Sequence, residues 1–210
     1  MALNSREKVY GKEHPNYASS LTSIAVNYSS LGDYEKSLEF NLLALDIRER
    51  VFGKKHPAYT QSLSNVARNY LYLGDYNNSL EKNLQVIDLY EIIYGKEHPN
   101  YASGLSAIAM DYSFLGDYRK SLEINLLVID FYEKNYGGEH VYYANCLSST
   151  SKNYRSLGDL NKALEIQSLA LNIYEKTLGK EHFEYANNLT EIAMIYIDLS
   201  DYNKALEFSL

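Results

Sequence analysis

Histidine recurs in this chain at a fixed spacing that suggests metal or catalytic chemistry. The five histidines are 42 residues apart, at His14, His56, His98, His140 and His182, and the single cysteine, Cys146, follows the fourth. Imidazole and thiolate are the ligands that zinc prefers, and a cysteine beside a histidine can act as a nucleophile. The first question is therefore whether these side chains can meet.

The spacing argues against both kinds of site. Neighbouring copies of a helical repeat stack about 8–10 Å apart, whereas ligands of one metal lie about 2 Å from it. His140 and Cys146 are six residues apart, which puts them on different sides of a helix. The "GK" dipeptides lack the spacing of a phosphate-binding loop. We predict no metal, no cofactor and no enzymatic activity, and we interpret the histidines as joint residues that precede a helix.

The same period governs the whole sequence. The segment "LGDYEKSLE" at 31–39 returns with few changes at 73–81, 115–123, 157–165 and 199–207. Full copies of one unit are 11–52, 53–94, 95–136 and 137–178, followed by a truncated fifth copy at 179–210. Residues 1–10 match the end of a copy. We therefore predict a single repeat domain over residues 1–210.

Each unit predicts two helices. In the first helix, Leu21, Ile24, Ala25 and Tyr28 follow the i, i+3, i+4, i+7 spacing of one buried face. The second helix is predicted from about Tyr34 to Phe52, with Leu38, Leu42 and Leu45 on its buried side. A helix pair of this kind buries its apolar face only when copies stack, so we predict an all-α solenoid of antiparallel helix pairs.

The segment "LGDY" has the composition of a joint between the two helices. Gly32 suits the left-handed residue that closes a helix, and Asp33 suits the acceptor that caps the next one. Pro15 suits the first turn of the first helix. The fifth copy has Ser200 in place of this glycine, where a left-handed conformation costs about 1 kcal/mol. The tyrosine column at 28, 70, 112, 154 and 196 is interpreted as packing between repeats.

These features together resemble the tetratricopeptide repeat. The small residues and tyrosine of the first helix, then "LGDY", then serine or alanine in the second helix follow its order, and the 42-residue copy with "GKEHPNYA" resembles the kinesin-light-chain type. The resemblance covers the whole chain. It implies a right-handed superhelix whose first helices line a concave groove for peptides or partner proteins.

Helix geometry places a second face of the first helices opposite the buried one. Its residues vary between copies and include large apolar and cationic side chains, which we expect on a binding surface. The ten candidate residues, called the groove face below, are Asn65, Arg68, Leu71, Tyr72, Met110, Phe114, Asn145, Lys152, Arg155 and Met194. Variation by drift on a solvated face would give the same pattern.

The net charge limits the classes of partner that we expect. The chain has a formal net charge of −7 and a pI near 5.3, which argues against nucleic acid and against an anionic membrane surface. Against this background Arg68, Lys152 and Arg155 favour a protein or peptide with acidic and apolar side chains. A single cysteine and no apolar run long enough to cross a bilayer predict a cytoplasmic protein.

The two ends suggest alternatives to groove binding. Residues 1–10 and 201–210 correspond to the two halves of one second helix, so head-to-tail association through Met1, Leu3, Leu206 and Leu210 would give a structural rod. A regulatory or sensor fragment of a larger protein is the other alternative. We favour a non-catalytic binding scaffold over both.

Overall fold

The computed structural model describes residue 9 and residues 11–210, and residues 15–209 form ten helices and no strands. First helices of 16 residues alternate with second helices of 19 residues, except that the last is short. The helices are α1 (Pro15–Ser30), α2 (Tyr34–Phe52), α3 (Pro57–Tyr72), α4 (Tyr76–Tyr94), α5 (Pro99–Phe114), α6 (Tyr118–Tyr136), α7 (Val141–Ser156), α8 (Leu160–Leu178), α9 (Phe183–Asp198) and α10 (Tyr202–Ser209). The predicted helix pairs are confirmed.

The histidines are the caps of the first helices. His14 has an extended backbone, and its Nδ1 accepts a hydrogen bond of 3.1 Å from the backbone N–H of Asn16. The other four histidines make the same bond to the residue two positions later. Each imidazole thus pairs one of the backbone donors that a helix leaves free at its start. Their interpretation as joint residues is confirmed.

An aromatic ring at the end of each of three second helices packs against the capping histidine of the next repeat, stacked in two cases and tilted at Tyr136. Phe52 and His56 have ring centroids 4.3 Å apart, and Tyr94 and His98 have centroids 4.5 Å apart. Tyr136 and His140 are at 5.0 Å. The end of one repeat is thereby held against the start of the next.

The "LGDY" joint is built as predicted. Gly32 has φ of 78°, and the N–H of Asp33 donates to the carbonyl of Tyr28 at 2.9 Å. The Asp33 carboxylate accepts from the N–H of Lys36 at 3.1 Å, which caps α2. Equivalent aspartates cap the other second helices.

The buried side of the second helices differs from the prediction. In α2 the buried residues are Ser37, Asn41, Ala44 and Ile47. Leu38 and Leu45 are half-buried, and Leu42 is 42% exposed, so its predicted burial is wrong. Small and amide side chains occupy the stripe where the helices meet, which turns Leu42 outward.

Contacts between residues divide the described part of the chain into two compact units. The first unit ends at Gly104 and the second begins at Leu105, within α5. In the first unit Ala18, Leu21, Ala44 and Ile47 form one cluster, and a second is built from Tyr59, Leu63 and Val86. The buried residues of the second unit include Ala144, Leu147, Ala163, Ala170, Ile173 and Tyr174.

Side-chain size is matched locally where a second helix meets the following first helix. A Cβ atom added to Gly104 would lie 2.9 Å from Ile87 Cδ1 and 3.3 Å from the Tyr90 ring. The residues at the position of Gly104 in other copies are Ser62, Cys146 and Asn188. Gly104 therefore makes room for the side chains of α4, and a larger residue there would displace them.

Two tyrosines of the column stack on a ring of their own repeat. Tyr28 stacks on Phe40 with ring centroids 5.5 Å apart, and Tyr196 stacks on Phe208 in the same manner at 5.6 Å. Lys36 Nζ lies 5.2 Å from the Tyr28 centroid. The described ring contacts of this column thus join the two helices of one copy, where we expected packing between copies.

The left-handed serine gives a direct stability test. Ser200 has φ of 61°, the one positive value among the described non-glycine residues. We expect Ser200→Gly to raise the free energy of unfolding by about 1 kcal/mol, because glycine adopts this conformation without a steric cost. Urea unfolding measures it, and Gly158→Ser should give the opposite change in the preceding repeat.

The aspartate caps predict a pH dependence. Hydrogen bonds from the Lys36 side chain and backbone lower the pKa of Asp33, and the backbone N–H and side chain of Lys120 lower the pKa of Asp117. A lowered pKa stabilises the fold above the unfolded value, and this stability is lost as pH falls through the folded value.

The double variant Asp33→Asn/Asp117→Asn keeps cap acceptors but does not titrate. We expect the parent chain to melt higher than this variant near neutral pH, and the difference to shrink below the unfolded pKa of 3.8. A difference independent of pH would contradict the charge-assisted cap.

Candidate functional site

The residues first considered for chemistry are not assembled into a reactive site in the described part of the chain. No three His, Cys, Asp or Glu side chains there are placed to hold one metal ion. Cys146 is 7% exposed, and burial raises the pKa of its thiol to about 12, which disfavours the reactive thiolate. No described helix is both long and apolar enough to cross a bilayer.

The first unit contains a pocket of about 230 Å³ between α1, α2 and α3. Three groove-face residues, Asn65, Arg68 and Tyr72, line it. The other lining residues are Val26, Ser29, Ser30, Ser37, Asn41 and Asn69. The structure thus brings together part of the predicted surface, while Leu71 is half-buried and does not line this pocket.

Arg68 is the one charged side chain among the residues that line the pocket. Its guanidinium donates to Asn65 Oδ1 at 2.8 Å, and it forms no salt bridge within the part of the chain that the structure describes. Arg68 is exposed, whereas Asn65 is only 6% exposed. The neutral amide holds the guanidinium in place and leaves its charge uncompensated.

Two buried polar atoms of pocket residues have no hydrogen-bond partner among the described residues. Ser37 Oγ and Asn69 Nδ2 are both unpaired, and their residues are 1% and 3% exposed. A buried polar group without a partner costs about 1–3 kcal/mol. Both atoms are covered by protein, so a ligand would reach them only after a local movement of the pocket side chains, whereas Arg68 is exposed and can donate directly to an oxygen acceptor.

The same positions are paired two repeats later. Asn153 Nδ2 donates to Ser121 Oγ at 2.8 Å, and Ser121 Oγ donates to the carbonyl of Ala109 at 2.7 Å. Ser113 Oγ donates to Asn153 Oδ1 at 3.2 Å. Ser121 and Asn153 correspond to Ser37 and Asn69. The pair is therefore closed by a hydrogen bond in the second unit and open, without this bond, in the first.

The two cations predicted in the second unit are already neutralised. Lys152 Nζ lies 2.9 Å from Glu191 Oε1, and Arg155 Nε lies 2.5 Å from Asp198 Oδ2. The Arg155 guanidinium also lies 3.8 Å from the sulfur of Met194. These salt bridges join α7 to α9, so Arg68 differs electrostatically from Lys152 and Arg155.

The remaining groove-face residues of the second unit are accessible but less organised. Met110, Phe114 and Met194 are 47%, 54% and 39% exposed. Asn145 is exposed and accepts a hydrogen bond from the Tyr174 hydroxyl at 2.5 Å. Bulky Met110 and Phe114 stand where the first repeat has the pocket residues Val26 and Ser30.

Sequence reasoning missed Ser37, Asn41 and Asn69. Ser37 and Asn41 lie on the second helix, which we did not assign to the site, and Asn69 lies outside the groove face. A signal was present, because polar residues recur at the same buried positions in later copies, such as Ser79, Asn83 and Asn125.

A family model described as the tetratricopeptide repeat matches residues 1–50, 24–92 and 152–209. These matches cover more than half of the sequence. The chain belongs to the tetratricopeptide repeat family. A search of curated proteins gives no match to this tetratricopeptide repeat protein.

Solved structures share the fold. A protein described as a kinesin light chain with nearly identical TPR-like repeats, from Podosopora anserina, aligns with a TM-score of 0.78 and 22% identity over 93% of this chain and 92% of its own. BtubC (BKLC) from P. vanneervenii has a TM-score of 0.78 and 15% identity, over 92% and 77% of the two chains. A Rap protein in complex with competence and sporulation factor has a TM-score of 0.73 and 16% identity, over 96% and 58%. The kinesin-light-chain resemblance is confirmed at the level of the fold.

The predicted self-association residues are only partly described. Met1 and Leu3 lie outside the described residues. Leu206 and Leu210 are 59% and 99% exposed. Head-to-tail association stays a prediction.

Truncation of Asn153, which is hydrogen-bonded, and of Asn69, which belongs to the open pair, should affect stability differently. Asn153→Ala removes two buried hydrogen bonds and should lower the free energy of unfolding by about 1–3 kcal/mol. Asn69→Ala removes a group whose Nδ2 has no partner, so we expect a much smaller change or a gain. Chemical denaturation of both variants measures the difference, and equal losses would mean that Asn69 is paired in solution.

Proposed function

We propose that this tetratricopeptide repeat protein is a non-catalytic scaffold that binds a peptide or an extended segment of a partner protein along its first helices. The pocket of the first unit serves as the anchor. The observation that carries the proposal is the exposed Arg68 guanidinium, which no carboxylate among the described residues neutralises, at a pocket lined mostly by polar residues.

The proposed partner carries acidic and apolar side chains. A carboxylate would accept hydrogen bonds from the exposed Arg68 guanidinium, and charge-assisted bonds of this kind are the stronger ones. Tyr72, 49% exposed at the pocket, offers an apolar face for a neighbouring side chain. Lys152 and Arg155 contribute less, because binding there must compete with Glu191 and Asp198.

The solved neighbours support this class of function by analogy. The Rap structure is a complex with competence and sporulation factor, and its repeats share the fold of this chain. We infer peptide binding from the pocket chemistry, and the neighbour supports the inference only as a protein of this fold that was solved in a complex.

A peptide array tests the proposal. Immobilised extended peptides that combine Asp or Glu with aromatic residues or leucine are compared with the same peptides in which Asn or Gln replaces the acids. We expect the acidic set to bind the parent chain, and Arg68→Glu to abolish binding. Lys152→Glu is the matched control and should weaken binding much less, because Lys152 is already paired.

The outcomes are distinct. Equal effects of the two variants would show that only net charge matters, and an unaffected Arg68→Glu variant would remove the pocket from the binding surface. Amidated peptides, which lack the terminal carboxylate, separate recognition of an acidic side chain from recognition of a chain end.

A further inference from the structure

The second helices of the first unit place leucine outward and polar residues inward. On α2 the buried stripe contains Ser37 and Asn41, while Leu42 and Leu43 are 42% and 47% exposed. On α4, Leu84 and Ile92 are 43% and 61% exposed. The buried stripes also contain Ala44 and Ile47 of α2 and Val86 and Ile87 of α4, so both helices carry apolar residues on two sides. The four outward side chains are therefore apolar surface that is only partly covered in the described structure.

Carboxylates border the exposed apolar residues at a regular spacing. In both full second helices of the first unit, a glutamate lies three residues before the exposed leucine at 42 or 84, and an aspartate lies four residues after it. This spacing places them on one side of each helix, and equivalent sides of stacked copies face the same way. We call this surface the outer face, and it consists of Glu39, Leu42, Leu43 and Asp46 of α2 and Glu81, Leu84, Asp88 and Ile92 of α4. All eight residues are exposed, and none of them lines the pocket.

The negative charge of the outer face is only partly balanced. Asp46 pairs with Arg50 at 2.7 Å, and Glu81 pairs with Lys82 at 2.7 Å. Glu39 and Asp88 form no salt bridge with any residue that the structure describes. The outer face thus combines exposed aliphatic side chains with unneutralised carboxylates and contains no basic residue of its own.

We propose that the outer face of the first unit docks an amphipathic helix of a partner protein, with leucine-like residues bordered by lysine and arginine. The apolar residues of such a helix would cover Leu42, Leu43, Leu84 and Ile92, and its cations would meet Glu39 and Asp88. Charge complementarity selects this occupant, since it favours opposite charges and disfavours acidic partners. A second copy of a chain with net charge −7 is disfavoured for the same reason.

The second unit supplies an internal control. On α8 the corresponding segment is 165–172, in which Ser168 and Asn172 replace the leucine and the aspartate. Glu165 is paired with Lys162 at 3.0 Å. Because α8 lacks this leucine and this aspartate and its glutamate is already paired, substitutions there should leave docking unchanged.

The α6 helix is intermediate. It keeps Glu123, Leu126, Leu127 and Asp130, but Arg119 stands four residues before the glutamate, where α2 has Glu35 and α4 has Asn77. This added cation reduces the negative potential at α6, so we place the docking site on the first unit.

The test uses the full chain and a synthetic helix of about 18 residues, five turns, of leucine and lysine at three- and four-residue spacing. The same peptide with glutamate in place of lysine is the charge control. Fluorescence anisotropy is measured for the parent chain, Leu42→Ser/Leu84→Ser and Glu39→Lys/Asp88→Lys. The matched control variant on α8 is Glu165→Lys/Leu169→Ser.

We expect each outer-face variant to weaken binding of the leucine–lysine helix by about tenfold or more, and the α8 variant to stay within about twofold of the parent. Binding to the parent should also weaken with added salt. The substituted side chains are exposed, and thermal melting checks that each variant folds. If the serine variant melts early, Glu39→Lys/Asp88→Lys still tests the proposal, because it keeps the apolar residues.

Equal loss in the α8 variant, or no loss in either outer-face variant, would overturn the proposal in favour of nonspecific attraction to an acidic surface. Sedimentation measures whether the parent chain associates with itself. If its mass increases with concentration and Leu42→Ser/Leu84→Ser abolishes the increase, the occupant of the outer face is a second copy and the proposal is overturned. Arg68→Glu separates this site from the proposed groove function, because it should leave helix binding intact.

Discussion

Capping of the helix ends is the interaction on which the architecture depends. Each first helix begins on a histidine nitrogen, and each second helix begins on an aspartate oxygen. Both bonds are local, so the direction of each turn is set within a few residues of sequence. Because the joints are repeated with the same geometry, the helix faces between them can change from copy to copy without altering how the next helix starts.

The histidine caps also explain why an apparent metal array arose in the sequence. A repeated joint repeats its functional groups, and the spacing of the ligands then equals the length of the unit. The imidazole nitrogen that could bind a metal is occupied by a backbone N–H. The structural role thus accounts for the residue type and for its period.

Fold and binding surface were predictable from sequence to different extents. The helix bounds, the joints and the stacked-repeat class follow from local signals such as "LGDY" and the glycine closures, and these were correct. Leu42 was misassigned because apolar character was taken to mean burial, whereas close helix packing at Ser37 and Asn41 favours smaller side chains. Of the candidate site, Arg68, Asn65 and Tyr72 were found, since they lie on the first helix.

The rest of the site depends on contacts between distant residues. Lys152 is neutralised by Glu191, whereas Arg68 has no carboxylate partner in the described structure. Neither residue type indicates this difference in the sequence. Likewise, Ser37 and Asn69 have the same residue types as Ser121 and Asn153, and only three-dimensional geometry distinguishes the open pair from the closed one.

The missing Cβ of Gly104 has a consequence for how such a chain can evolve. Repeats produced by gene duplication are at first interchangeable, and unequal recombination can then add, delete or reorder them freely. Because Gly104 accommodates the Tyr90 ring and Ile87, a first helix with a larger residue at this position would displace these side chains of the preceding copy. Recombination that keeps α4 together with the first helix that follows it avoids this displacement.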